Sequence, residues 1–213
     1  MAPSRAHALR LIQLGIGLFL YGAATALMVR AAVGVSSWSV LTQGLENVLP
    51  WSFGTLTVVT SFFVLLAWIP LRQKPGLGTV CNVIVIGPAA DLVLELVPEA
   101  HALPMQLFLF TAGLVLLAIA TACYIGPRYG TGPRDGLMVG LHERLGWPIW
   151  LARTVVEVTV VVCGALLGGD LGLGTLVATF AIGPMVQPLM PIFAGFPWSP
   201  REPQEEPVPE LVG

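Results

Sequence analysis

The chain has few of the charged residues with which a soluble protein faces water. Only 10% of its 213 residues are charged, while 55% are hydrophobic, and its mean hydropathy is +0.83. Soluble domains carry about 25% charged residues. No basic run lies outside short loops, so nucleic-acid binding is not expected. This composition excludes an ordinary soluble domain and makes the lipid bilayer the expected surroundings.

The residues of metal and acid–base chemistry are also scarce. The three cysteines, Cys81, Cys123 and Cys163, lie on separate apolar segments without a CxxC pair, and the three histidines are isolated. Neither a Ser/His/Asp arrangement nor a Walker sequence is evident. We therefore expect no enzyme, no metal and no cofactor, and we interpret the cysteines as small residues of helix packing.

Long apolar runs dominate what is present. Six of them are long enough to cross a hydrocarbon core of about 30 Å as helices. We expect an all-α membrane protein with transmembrane helices at about residues 11–29, 53–71, 77–97, 105–124, 149–168 and 173–194. Residues 1–10 would form a short cytoplasmic tail, and the proline- and glutamate-rich residues 197–213 a disordered acidic cytoplasmic tail.

The distribution of basic residues predicts the orientation. With a cytoplasmic N-terminus, one outer residue, Arg30, stands against nine on the inner side. The inner residues are Arg5, Arg10, Arg72, Lys74, Arg128, Arg134, Arg144, Arg153 and Arg201. Because basic residues favour the cytoplasmic side, both termini are expected there, in a plasma-membrane protein.

The two halves of the chain repeat at a constant offset of 96 residues. Gly-Leu-Gly-Thr occurs at 76–79 and 172–175, and Ile-Gly-Pro at 86–88 and 182–184. Glycine, proline and threonine matching at one offset indicate a duplication. Repeat 1 spans 11–104 and repeat 2 spans 105–196. Each holds three spans, an odd number, so the sequence predicts two inverted three-helix repeats, an arrangement found in many secondary transporters.

Each half has a polar stretch after its first span, at 34–45 and 130–141. Ser36 and Gly132 occupy N-cap positions, and Pro133 occupies a first helical position. We expect a short amphipathic helix in each half, lying on the membrane surface or dipping into it.

The second short helix carries Arg134 and Asp135 in its first turn, where the first has Trp38 and Ser39. In one interpretation, free backbone N–H groups and Arg134 receive an anion, with Asp135 orienting them. In the other, Asp135 complements the helix dipole and Arg134 contacts lipid phosphates.

Gly87-Pro88 and Gly183-Pro184 lie well inside the third span of each half. A proline there removes a helix hydrogen bond and frees a carbonyl. Duplicated helix breaks near the midplane are typical of a transporter site. The alternative is a pair of packing kinks without a ligand.

Several polar residues lie within or at the ends of spans. Asp91 and its offset partner Gln187 follow the proline positions by one helical turn. We expect them to line a polar cavity within the membrane; alternatively, Asp91 lies at the membrane–water interface. Arg153 and Glu157 are four residues apart and are expected to pair. Arg30 is expected to pair with Asp91 or Glu95, or to be an interfacial anchor.

With these residues in view, the chain resembles the YczE/YyaS/YitT family of bacterial integral membrane proteins, and YczE-like members most closely. The resemblance rests on Arg-Ala-Ala-Val-Gly-Val-Ser-Ser-Trp-Ser-Val-Leu at 30–41, on Gly-Thr-Gly-Pro-Arg-Asp-Gly-Leu-Met at 130–138, and on the Ile-Gly-Pro element of 86–88. Ser37 stands where such proteins are expected to have proline. The resemblance implies a plasma-membrane protein and adds little about a substrate.

These features favour a small secondary transporter or permease for an unidentified small molecule or ion. The alternatives are an accessory or scaffold protein for a partner enzyme or sensor and, third, a membrane enzyme acting on lipid. The oligomeric state is not predicted. The expected pathway has Gly132, Arg134 and Asp135 at its inner end, Ser36, Ser37 and Trp38 at its outer end, and Asp91, Glu157 and Gln187 near its middle.

Reporter fusions test the predicted topology. Fusions after residues 74, 144 and 205 should report the cytoplasmic side, because basic residues cluster there, and fusions after 48, 100 and 170 the opposite side. Residue 144 on the outer side would contradict the inversion of the second half.

Overall fold

The computed structural model describes residues 3–196, which fold into eight α-helices without a strand among them. The expected acidic tail at 197–213 lies outside the described residues. The helices are α1 (Pro3–Ala31), α2 (Ser37–Glu46), α3 (Phe53–Leu71), α4 (Leu77–Leu96), α5 (Leu103–Ile125), α6 (Pro133–Leu145), α7 (Ile149–Leu166) and α8 (Leu173–Ala194).

Six of these helices, α1, α3, α4, α5, α7 and α8, are long and apolar enough to cross a membrane. Five of the predicted spans match them to within two residues at each end. The exception is α1, which begins at Pro3, so most of the expected N-terminal tail belongs to the helix. Alanine, arginine and leucine favour helix, and nothing between Pro3 and Leu11 interrupts it.

The two short helices begin inside the bundle. Their predicted N-caps, Ser36 and Gly132, are confirmed. Ser37 and Ser39 at the start of α2 and Gly136 in the first turns of α6 are buried. Both helices therefore start among the long helices and do not lie flat on the surface of the bundle.

At the centre, α1 and α5 pack closely along their length. A Cβ atom at Gly17 would lie 2.6 Å from the backbone nitrogen of Tyr124, and one at Gly113 would lie 2.8 Å from Cγ of Met28. Glycine at these points allows two long helices to approach more closely than larger residues would.

The remaining helices arrange themselves on this pair in corresponding ways. α4 packs on α1 as α8 packs on α5, while α2 packs on α7 and α6 on α3. Each short helix thus packs on a long helix of the other half, and the two halves interlock.

Loop backbone geometry recurs at the same offset of 96. Left-handed φ angles occur at Ala32 (52°) and Arg128 (57°), and positive φ at Gly34 (135°) and Gly130 (120°). The N–H of Gly174 donates to the carbonyl of Val33 at 3.0 Å, and the N–H of Gly78 donates to that of Tyr129 at 2.8 Å. The inverted orientation of the halves in a membrane stays a prediction.

The halves differ most in the contact between their second and third long helices. α3 packs against α4, whereas α7 and α8 make almost no direct contact within residues 3–196. A Cβ atom at Gly87 on α4 would collide with the carbonyl oxygen of Gly54 on α3, but one at the equivalent Gly183 on α8 meets nothing within 4 Å. In the first half α3 is therefore packed against α4 (the sealed form), whereas in the second half α7 and α8 are separated (the parted form).

The expected breaks at Gly87-Pro88 and Gly183-Pro184 do not interrupt the helices. Pro88 lies inside continuous α4, and Pro184 inside continuous α8. Each proline removes one hydrogen bond, but the surrounding turns keep theirs, so the helix continues through it. At Gly87 the small residue serves the close contact with α3.

Alanine at the two equivalent glycines tests this difference. Gly87→Ala should lower the thermal unfolding midpoint of the purified protein, because overpacking costs about 1 to 3 kcal/mol. Gly183→Ala should leave it unchanged or raise it, because alanine is about 1 kcal/mol better than glycine in a helix and has open space there. Equal destabilisation by both would contradict the parted arrangement of α7 and α8.

Candidate functional site

A cavity of about 310 Å³ lies where α7 and α8 part. Its wall is built from six helices: α1, α5, α7, α8 and the starts of α2 and α6. Its lining residues are Tyr21, Ser36, Ser37, Leu117, Thr121, Tyr124, Ile125, Arg134, Asp135, Arg153, Glu157, Ala178, Thr179, Ile182, Gly183, Val186 and Gln187. The volume falls in the range of small-molecule sites, about 300 to 1,000 Å³.

Arg134 lines this cavity and lies between two aromatic rings. Its guanidinium carbon lies 5.6 Å from the ring centroid of Tyr21 and 5.6 Å from that of Trp38. Trp38 and Arg134 are themselves equivalent at the offset of 96, so the starts of α2 and α6 meet here. Within residues 3–196 the guanidinium has no hydrogen-bond acceptor, which leaves its donors available to the cavity.

Two carboxylates face the same space. Tyr124 donates its hydroxyl hydrogen to Oδ2 of Asp135 at 3.3 Å. The predicted pair on α7 is confirmed, with Nε of Arg153 3.8 Å from Oε1 of Glu157. The four charged groups of the cavity therefore sum to zero when all are ionised.

Burial perturbs the charged residues at the start of α6. Burial raises the pKa of the Asp135 carboxyl above its usual range, although Arg134 and the Tyr124 hydrogen bond act in the opposite direction. Burial alone would lower the pKa of Arg134, but the nearby Tyr21, Asp135 and Glu157 more than offset it and raise the pKa. Arg134 therefore stays charged, while Asp135 takes up a proton more readily than an exposed aspartate.

A second, smaller cavity of about 40 Å³ lies on the far side of Arg134. Its lining is Trp38, Thr42, Thr57, Thr60, Ser61, Val64, Asn82, Ile86, Pro133 and Arg134. Thr57, Ser61 and Ile86 stand 96 residues before Arg153, Glu157 and Ile182 of the large cavity. The two cavities thus occupy corresponding places in the two halves, wide between α7 and α8 and narrow where α3 meets α4.

Most of the predicted pathway residues lie together, but in a different arrangement. Ser36, Ser37, Arg134, Asp135, Glu157 and Gln187 line the large cavity, and Gly132 is the N-cap beside it. The expected separation of the two helix starts into inner and outer ends is not found, since Arg134 contacts Trp38. The first turns of both short helices meet beside the cavity.

Asp91 does not line this cavity but, with Glu46, Ser52 and Asp170, lines a separate polar cavity of about 790 Å³; its place near the middle of a pathway stays a prediction. Its Oδ1 accepts from the N–H of Gly54 at 2.7 Å, and its Oδ2 accepts from the hydroxyl of Ser52 at 2.6 Å. Asp91 therefore caps the start of α3 and ties it to α4. The expected partner of Arg30 is corrected, because Arg30 pairs with Glu99 at 3.0 Å.

The tyrosines of the site were not predicted. Tyr21 and Tyr124 lie inside apolar spans, and their rings pack edge to face with centroids 5.9 Å apart. For Tyr21 the signal was a polar hydroxyl well within a long apolar run, which requires a partner inside the protein; Tyr124 lies at the end of its span. Arg153 was predicted to pair with Glu157 but was not assigned to the pathway.

Within residues 3–196, no group of three His, Cys, Asp or Glu side chains lies close enough to hold a metal ion. The cavity instead offers hydroxyl, guanidinium and carboxyl groups beside an apolar wall. Such a lining suits a small polar or charged organic molecule.

These features define a multi-pass helical membrane protein with an internal polar cavity. Residues 8–191 match the sequence model of DUF6198, a family of unknown function. The chain belongs to this family. No solved structure matches it.

Three relatives support this assignment. An "Uncharacterized protein" of Haemophilus influenzae is 35% identical over 185 residues, covering 87% of this chain and 85% of that protein. In Bacillus subtilis, "Uncharacterized membrane protein YczE" is 25% identical over 71% of each chain. "Uncharacterized protein YyaS", also of Bacillus subtilis, is 28% identical over 84% of this chain and 90% of its own. The resemblance to YczE and YyaS predicted from the sequence is confirmed.

Substitution by asparagine is expected to affect thermal stability in opposite ways at Asp135 and Asp91. A raised pKa means that the fold binds the Asp135 proton more tightly than the unfolded chain does, so ionisation costs stability, and the cost grows as pH rises to the folded-state pKa. Asp135→Asn should therefore preserve or raise the unfolding midpoint at pH 8. Asp91→Asn should lower it, because it weakens a helix cap worth about 1 kcal/mol.

The measurement is thermal unfolding of both variants and the parent in one detergent. A stable Asp91→Asn variant combined with a destabilised Asp135→Asn variant would reverse the roles given to the two residues.

Proposed function

We propose that the protein is a small secondary transporter, built from two inverted three-span repeats, whose substrate site is the cavity between α7 and α8. One observation carries this proposal. Corresponding places in the two halves hold a wide cavity of about 310 Å³ and a narrow one of about 40 Å³. In transporters with inverted repeats, exchange of such unequal halves gives access to each side in turn.

The alternation has a defined geometry. In the state described, α7 and α8 are apart and α3 is closed on α4. In the second state α7 closes on α8 while α3 leaves α4. Arg134 lines both cavities and Trp38 lines the narrow one, so a ligand on Arg134 is reached from one side in each state.

Asp91 stabilises the closed contact between α3 and α4. Its hydrogen bonds to Ser52 and Gly54 hold the start of α3 on α4. The equivalent residue Gln187 lines the large cavity and makes no hydrogen bond to α7 within residues 3–196. Opening of α3 from α4 requires the Asp91 bonds to break, which sets a cost on the second state.

The wide cavity reaches the end of the bundle where α5 finishes, because Tyr124 and Ile125 line it. The count of basic residues assigns that end to the cytoplasm. The state described is then the inward-facing one.

A matched pair of cysteines tests the alternation without knowledge of the substrate. Ile182 lines the wide cavity, and its equivalent Ile86 lines the narrow one and is 5% exposed. In a background with the natural Cys81, Cys123 and Cys163 replaced by alanine, Ile182→Cys should react quickly with a membrane-impermeant thiol reagent from the cytoplasmic side. Ile86→Cys should react slowly, and from the opposite side.

Right-side-out and inside-out vesicles separate the two sides. Reaction of Ile86→Cys from neither side, with Ile182→Cys reacting freely, would indicate a rigid protein and would favour the scaffold alternative. The cysteine-free background without either substitution is the unreactive control for non-specific labelling.

A further inference from the structure

The strongest feature of the large cavity is a cationic guanidinium whose hydrogen bonds are unused. Arg134 lies between the rings of Tyr21 and Trp38, and no acceptor of residues 3–196 is bonded to it. The guanidinium lies near both rings and lines the cavity, so its N–H groups are available to a ligand there. A guanidinium placed in this way matches the two oxygens of a carboxylate.

Two helix starts add to the positive potential at the same point. α2 begins beside Ser36 and Ser37 and α6 beside Arg134, and these three residues line the cavity. Neither helix has a side-chain cap on its first N–H groups. Because the N-terminal end of a helix carries partial positive charge, the two ends together favour an anion near Arg134.

The acidic residues of the cavity do not cancel this preference. Glu157 is engaged by Arg153, and Asp135 by the hydroxyl of Tyr124. Asp135 faces Tyr124 on α5, Arg134 on its own helix, and Arg153 and Glu157 on α7. Burial raises its pKa, so it can accept a proton when a second negative charge arrives.

The rest of the lining indicates an organic body on the ligand. Leu117, Ala178, Ile182 and Val186 supply an apolar wall. An apolar wall does not stabilise a hydrated inorganic ion, whereas it stabilises a short alkyl or aryl group.

From this arrangement we propose that the cavity binds a small organic carboxylate, with its carboxylate group on Arg134 and its apolar part against the wall formed by α5 and α8. The proposal rests on the proposed function, because it names the ligand of the same cavity.

Equilibrium binding to the full chain in nanodiscs tests it. The probes are butanoate and benzoate, their neutral amides butanamide and benzamide, and sulfate as an inorganic anion. Isothermal titration should show binding of at least one carboxylate and neither its amide nor sulfate. Equal binding of the amides, or sulfate binding alone, would overturn the proposal.

Three substitutions test the role of Arg134. Arg134→Gln should weaken carboxylate binding at least tenfold, because it removes the charged hydrogen-bond donors that hold the carboxylate. Asp135→Asn should strengthen binding, because it removes a neighbouring negative charge. Arg144→Gln, an exposed position on the same helix α6, should leave binding unchanged.

Arg134→Lys covers the case in which the Gln variant does not fold, since it keeps the charge and loses the planar fork, and it should bind more weakly than the parent. Unchanged affinity in either Arg134 variant, or loss of binding in Asp135→Asn, would overturn the assignment. If the protein binds carboxylates but Ile86→Cys reacts from neither side, the proposed transport is refuted and the proposed ligand stands. If Ile86→Cys and Ile182→Cys react from opposite sides but no carboxylate binds, the proposed ligand is refuted and the proposed transport stands.

Discussion

The packing of α1 on α5 is the constraint on which the rest of the structure depends. Gly17 and Gly113 remove side chains where the two helices meet, so Tyr124 and Met28 reach across the contact. In a bilayer the hydrophobic effect gives little drive for helices to associate, and close van der Waals packing takes its place. With this pair fixed, α4 and α8 have equivalent surfaces on which to pack.

The short helices bind the halves together. Because α2 packs on α7 and α6 on α3, neither half can shift as an isolated three-helix unit. Their first turns meet at Arg134 and Trp38, so movement of either half would change the geometry of the proposed ligand site. In the proposed alternation, the sealed contact of α3 with α4 and the separation of α7 from α8 are two forms of the same interhelical contact.

Much of this arrangement is predictable from the sequence. A helix that crosses a bilayer needs about 20 apolar residues, and this requirement places the spans closely. The offset of 96 predicts which loops share a backbone conformation, as Gly34 and Gly130 do. Tertiary partners are less accessible. The role of Asp91 as a cap of α3 depends on how α3 and α4 cross, and nothing local to Asp91 encodes that crossing.

The candidate site was predictable in its residues and less so in its geometry. Arg134 and Asp135 stand out in an apolar chain because buried charge is costly and needs a reason. Their meeting with Trp38 depends on how the two short helices enter the bundle, and amphipathic periodicity does not specify that arrangement. The parting of α7 and α8 has no local signal either, because Gly87-Pro88 and Gly183-Pro184 are identical in sequence and differ in what packs on them.

The central claim is that the two halves exchange the sealed and parted forms. Distances between spin labels on equivalent exposed positions test it most directly, with one pair at Phe62 and Val80 on α3 and α4 and the other at Val158 and Leu176 on α7 and α8. Pulsed electron paramagnetic resonance in nanodiscs should give two distances for each pair, with the longer one predominant between α7 and α8 and the shorter one between α3 and α4. Conditions that shift one pair should shift the other in the opposite sense. A single unchanging distance in both pairs would contradict the exchange.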